Sequence, residues 1–148
     1  MSEPYLAISV VMMPRDANPN ANVVAVAGGA YPVYSTIFGG VILSHIDLAG
    51  AVGARREIQL RGGNTAALIV TVAVNRVEFK QPVLVGDVVK LYTSPVRFGR
   101  TSLTMHINVI AERGSEVIPV TEAEVVYVGV DATAADRRPT PLGLPATP

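Results

Sequence analysis

One segment dominates what this chain can become. Residues 37–57 read IFGGVILSHIDLAGAVGARRE, and Asp47 is the one full negative charge between Phe38 and Arg55. The Ala, Leu and Ile content favours helix, and no Pro interrupts the run. Ser35 or Thr36 is placed to cap its start, and Gly62-Gly63 to stop its continuation. The segment is nearly long enough to cross a membrane. However, a central Asp costs roughly 2.5–3.5 kcal/mol there, and Arg55-Arg56 close the run abruptly. The reading is a helix of a soluble domain, apolar enough that the other elements must wrap it.

What remains to wrap it is strand. Residues 5–13 (YLAISVVMM) form a β-rich run ended by Pro14, and 67–79 (ALIVTVAVNRVEF) are apolar on both faces up to Asn75, as in a central strand. After a turn at Pro82 and Gly86-Asp87, strand resumes over 88–98, with Pro95 marking a bulge or an edge. Leu103, Met105, Ile107 and Val109 then alternate with Thr104, His106 and Asn108, and Gly114-Ser115 turns the chain into a last strand at 117–130. Short turns imply antiparallel pairing. One apolar helix with five or six such strands gives an α+β domain over residues 1–131. Residues 17–34 carry two apolar runs around Gly28-Gly29 and read as a loop or hairpin insertion. Residues 132–148 read as a Pro-rich tail without regular structure.

Composition removes several function classes. The 148 residues carry no net charge and no nucleic-acid motif, so neither nucleic acid nor an anionic membrane is the expected partner. Cysteine is absent, which excludes disulfides, thiolate metal sites and a cysteine nucleophile. Two histidines far apart supply no metal-ligand set. A charged fraction of 16% is low, and the apolar surplus favours a subunit interface. Tyr5–Met13 is apolar, but Glu3 precedes it and no cleavage site follows, so the expected location is cytoplasmic.

On a helix, Asp47 has Gly40, Leu43, Ser44, Gly50, Ala51 and Ala54 at positions three, four and seven away. This small-residue stripe would let another group approach the carboxylate closely. Spacing alone leaves two readings open, a structural hydrogen bond or interface and a reactive group.

The motifs resolve this by resemblance. Phe38-Gly39-Gly40 followed by Ile46-Asp47-x-Ala49-Gly50 resembles the helix of hotdog-fold acyl-CoA thioesterases of the YciA type. Gln81–Val89 (QPVLVGDVV), Phe98-Gly-Arg-Thr-Ser102, Thr121–Asp131 (TEAEVVYVGVD) and Arg137-Arg138-Pro139 are similar to later motifs of that family, in the same order. The likeness covers roughly residues 12–141. It implies a hotdog fold, pairing of subunits into a dimer, tetramer or hexamer, and hydrolysis of acyl-CoA with no cofactor beyond the coenzyme A of the substrate. It further implies Asp47 as general base or nucleophile, with the amides of Gly39 and Gly40 polarising the carbonyl. An extended substrate crossing the helix would meet both. Thr71 matches a family threonine that helps hold the attacking water, and Asn18 a family asparagine that positions substrate. Phe38, Arg97, Gly99, Arg100, Thr101 and Ser102 fall where that family binds substrate and CoA.

The chain also departs from the pattern. About fourteen extra residues stand before Phe38, Thr36 replaces a common Asp or Asn, and Asn75 and Glu78 differ from the usual strand residues. These departures bear on substrate preference more than on reaction type. Two alternatives are a non-catalytic acyl-CoA-binding or regulatory protein and a hydratase or dehydratase. The latter needs a His–carboxylate pair, which His45 and Asp47, two apart on a helix, cannot form.

Overall fold

Alternation in the last three strands builds a sheet, and the apolar helix lies across it. The computed structural model describes residues 3–19, 23–26, 29–32 and 36–145, with the two short middle segments described at backbone level. In chain order the elements are β1 (Tyr5–Val11), β2 (Val23–Val26), β3 (Gly29–Pro32), α1 (Gly39–Leu60), β4 (Leu68–Asn75), β5 (Val88–Phe98), β6 (Ser102–Arg113) and β7 (Glu116–Val130). Five strands form one antiparallel sheet in the order β1-β5-β6-β7-β4. β2 and β3 pair as a separate hairpin, Val26 opposite Gly29. Gly29 thus belongs to a strand, and residues 27–28 of the expected turn lie outside the described residues.

β6 is the central strand. Leu103, Met105, Ile107, Val109 and Ala111 are all buried on its helix-facing side. Against them α1 lays Ile42, Ile46, Ala49, Gly50, Gly53, Ala54, Glu57 and Ile58, spaced three and four apart. Each buried isoleucine contributes about 1.5–3 kcal/mol. Gly50 and Gly53 each weaken the helix by about 1 kcal/mol relative to Ala. Their absent side chains let the sheet come close: a Cβ at Gly50 would strike the Tyr127 hydroxyl, and one at Gly53 would strike Thr93.

The helix ends as its sequence dictates. Gly62 adopts φ 69°, with Gly62 N–H donating to Gln59 O and Gly63 N–H to Ile58 O, which closes the C-terminus in a Schellman motif. Its start differs from expectation. The residue preceding the first turn is Phe38, no side chain caps it, and Thr36 instead pairs with Leu84. Pro95 does mark a bulge, between Pro95 and Arg97. An inner strand tolerates it because pairing with β1 reaches only to Thr93, leaving that stretch of β5 without a strand partner on the β1 side among the described residues.

One further expectation is corrected: β4 is an edge strand, and Leu68, Val70, Val72 and Val74 are exposed on it. The sheet wraps the helix as expected, covering it along one stripe and leaving Leu43 and Leu48 exposed on its outer side. The tail is irregular and is fastened. Leu142 is fully buried against Gly129, its N–H donates to Arg100 O, and its carbonyl accepts from Asn64 N–H.

Candidate active site

Asp47 sits half-buried near the middle of α1, where the helix passes the β4 edge of the sheet. Thr71 and Tyr127 are register partners on β4 and β7, and both reach it. The Thr71 hydroxyl donates to Asp47 Oδ1 at 2.6 Å. The Tyr127 hydroxyl donates to the Asp47 backbone carbonyl at 2.6 Å and lies 3.2 Å from Oδ1. Among the described residues Oδ2 accepts no hydrogen bond, and Asp47 enters no ion pair. Burial, then the nearby Asp47 charge, push the Tyr127 hydroxyl far above its ordinary range. It therefore remains a protonated donor at neutral pH.

The small-residue stripe around Asp47 proves to be two surfaces. Gly50 and Ala54 are buried, and the group approaching closely there is Tyr127 itself. Leu43 and Ser44 remain exposed, so the carboxylate is open on that side. Sequence alone does not mark Tyr127, because strand alternation reads it as a core aromatic. A glycine at position 50 opposite a strand tyrosine is the signal that could have found it.

The remaining candidates fall into two groups. Gly39 and Gly40 open α1, with the exposed Phe38 ring lying against Gly40 and the Phe79 ring beside Gly39. Asn18 joins them, since Asn18 N–H donates to Thr36 O and Phe38 N–H to Asp16 O. Gly40 and Asp47 of one chain are seven residues apart, about 10 Å along the axis. One thioester carbonyl cannot meet both within reacting distance, about 3–3.5 Å. The second group, Gly99, Arg100, Thr101 and Ser102, forms the β5–β6 turn, with Arg97 just before it. Gly99 N–H donates to Ser102 O, Gly129 N–H to Thr101 O, and Ser102 pairs with Val128, the neighbour of Tyr127. The turn therefore lies at the Tyr127 end of the sheet, two strands from Thr71. Arg97 and Arg100 are exposed and in no ion pair among the described residues. His106 faces away from the helix, 3.5 Å from Glu122. No cluster of three or more His, Asp or Glu among the described residues could hold a metal ion.

A long helix cradled by this five-stranded antiparallel sheet, with a carboxylate gripped by strand hydroxyls, defines a hotdog-fold protein. The chain belongs to the thioesterase superfamily, whose family profile matches residues 34–118. It is 34% identical over 137 residues to the acyl-CoA thioester hydrolase YciA of Escherichia coli K12, across 89% of this chain and 88% of that one. Its fold is similar to a hexameric thioesterase from Yersinia pestis, 32% identical, covering 99% of both chains with a TM-score of 0.72. A hexameric hotdog fold thioesterase of Campylobacter jejuni is 36% identical, over 93% of this chain and 90% of that one, with a TM-score of 0.69. No helix among the described residues is long and apolar enough to cross a membrane.

Proposed function

We propose that the protein hydrolyses acyl-CoA thioesters to the free acid and CoA, with Asp47 as the reacting carboxylate. The observation that carries this is an open carboxylate held by neutral hydroxyls in a thioesterase-superfamily chain. Asp47 can take a proton from water as that water attacks the thioester carbonyl. It can also attack the carbonyl itself, giving an anhydride that water then cleaves. Either route forms a tetrahedral oxyanion, and its collapse expels the CoA thiolate. No cofactor is needed beyond the substrate's own coenzyme A. The helix amides at Gly39 and Gly40, with no side-chain cap among the described residues, suit the oxyanion.

Because Gly40 and Asp47 of one chain are too far apart for one carbonyl, self-association brings the glycines of one subunit to the Asp47 of another. The exposed apolar residues of β4 and of the outer helix face supply surface for this, and the Yersinia and Campylobacter relatives are hexamers. Arg97 and Arg100 meet the phosphates of CoA. The β2–β3 hairpin, tied to the helix start through Asn18 and Thr36, covers the acyl entrance. We place this activity in the cytoplasm, where CoA thioesters are made and consumed.

Thiol release from a panel of acyl-CoAs tests the assignment directly, and absence of turnover on every chain length would overturn it. The shared site is tested by co-refolding inactive Asp47→Ala with inactive Gly40→Val. Recovered activity supports it, whereas a persistently inactive mixture or a monomer-sized species in light scattering would count against it. Replacing residues 19–33 by a Gly-Ser linker should alter KM or acyl-length preference. An unchanged profile would leave the hairpin without a role at the entrance.

A further inference from the structure

Tyr127 is 1% exposed, yet its hydroxyl is spent on the helix beside the reacting group and not on a strand neighbour. It can reach there because Gly50 lacks a side chain at the point where the hydroxyl sits. The ring is anchored on β7, opposite Leu103 of β6 on one side and Thr71 of β4 on the other.

We propose that Tyr127 is a positioning residue for Asp47: its hydroxyl, seated in the space left by Gly50, pins the Asp47 backbone and holds Oδ1 toward the strands, so that Oδ2 is presented to substrate. This rests on the reading of Asp47 as the reacting group. With Thr71 at 2.6 Å and Tyr127 at 3.2 Å, both donors lie on the same oxygen. A partial rotation about the Cβ–Cγ bond breaks both contacts, so the pair fixes the plane of the carboxylate and keeps one oxygen turned away from the strands. Both donors are neutral. They orient the carboxylate without cancelling the charge that makes it a base or nucleophile, as a guanidinium would. The tyrosine acts on two atoms of the same residue, backbone and carboxylate, which a threonine on an edge strand cannot do alone.

Tyr127→Phe keeps the ring and removes the hydroxyl. The expected result is a folded enzyme with kcat lowered about tenfold, the size of one lost hydrogen bond to a charged group, and KM unchanged. Ile107→Val serves as the control, because it loosens the packing beside Gly50 without touching the hydroxyl; it should lower Tm and leave kcat intact. A crystal structure of Tyr127→Phe should show the Asp47 carboxylate turned while α1 stays in place. This readout holds even if wild-type protein proves inactive on acyl-CoA, an outcome that would sink the function but not the positioning. Wild-type kcat with an unmoved carboxylate in Tyr127→Phe would overturn the proposal. So would an equal loss of kcat in Ile107→Val, which would reduce the tyrosine to a packing residue.

Discussion

Two aspartates in this molecule are held in opposite ways. Asp87, in the turn before β5, is 2% exposed and bound by a guanidinium. Arg113 Nε and Nη2 donate to its two oxygens at 2.9 and 2.7 Å, and Leu84 N–H adds a third bond at 2.9 Å. Burial alone would raise its pKa, but the Arg113 hydrogen bond, the Leu84 amide and the Arg113 charge outweigh it and hold the carboxyl below its ordinary 3.8. Asp47 has hydroxyl donors in place of a cation, and one oxygen takes no bond among the described residues. The Asp87 charge is matched by a cation and both of its oxygens are bonded. Asp47 is aimed by neutral hydroxyls and left unneutralised.

The sharpest way to break this contrast is Asp47→Ala. It should lower kcat by more than about a thousandfold, over ~4 kcal/mol of barrier, with little change in Tm. Asp47→Asn should be nearly as inactive, because an amide is neither base nor useful nucleophile at neutral pH. Retention of more than about a tenth of wild-type kcat in either variant would remove Asp47 from the reaction. Asp87→Ala should do the reverse, lowering unfolding free energy by about 1–3 kcal/mol as the Leu84 N–H loses its acceptor and Arg113 its partner, while kcat per folded molecule holds. Denaturant titration and active-site-normalised rates separate the two effects. Thr71→Val comes next, with kcat down about tenfold, whereas Thr71→Ser, which keeps the hydroxyl, should retain most activity.

The smallest effect is one of pH. Because Asp87 ionises more readily folded than unfolded, the unfolded chain binds more protons as pH falls below about 4. The stability that Asp87 supplies is therefore fully present above the unfolded pKa and is lost as pH falls through the lower folded value. The Tm gap between wild type and Asp87→Ala should narrow on acidification to about pH 3. A gap that stays constant would mean that the ion pair contributes through packing rather than charge.

Much of this was legible in the residues. The alternation at 103–109 located the central strand and Gly62-Gly63 the helix stop, and the family-like motif around the lone helix charge singled out a carboxylate that two strand hydroxyls reach. What the sequence hid was relational. An apolar strand reads as central whether its neighbours come from its own chain or from another, so its pattern points inside the sheet while β4 lies at the edge. Tyr127 looks like any inward aromatic until the opposing helix is docked. The Pro and Gly content of the tail speaks against regular structure but says nothing about Leu142 filling a socket over Gly129.

Gly50 carries a last consequence. Its pairing with Tyr127, together with Gly53 against Thr93, gives the helix two seats three residues apart on one sheet. Slide the helix three residues one way and Gly50 meets Thr93 while Tyr127 faces Asp47's own Cβ. Slide it the other way and Tyr127 finds Gly53 while Thr93 confronts Arg56. A four-residue slip puts Ala54 or Ile46 over the tyrosine. The two notches work as a vernier with one coincidence, so the helix has a single address on the sheet, and the Asp47 carboxylate inherits its coordinates from two missing methyl groups.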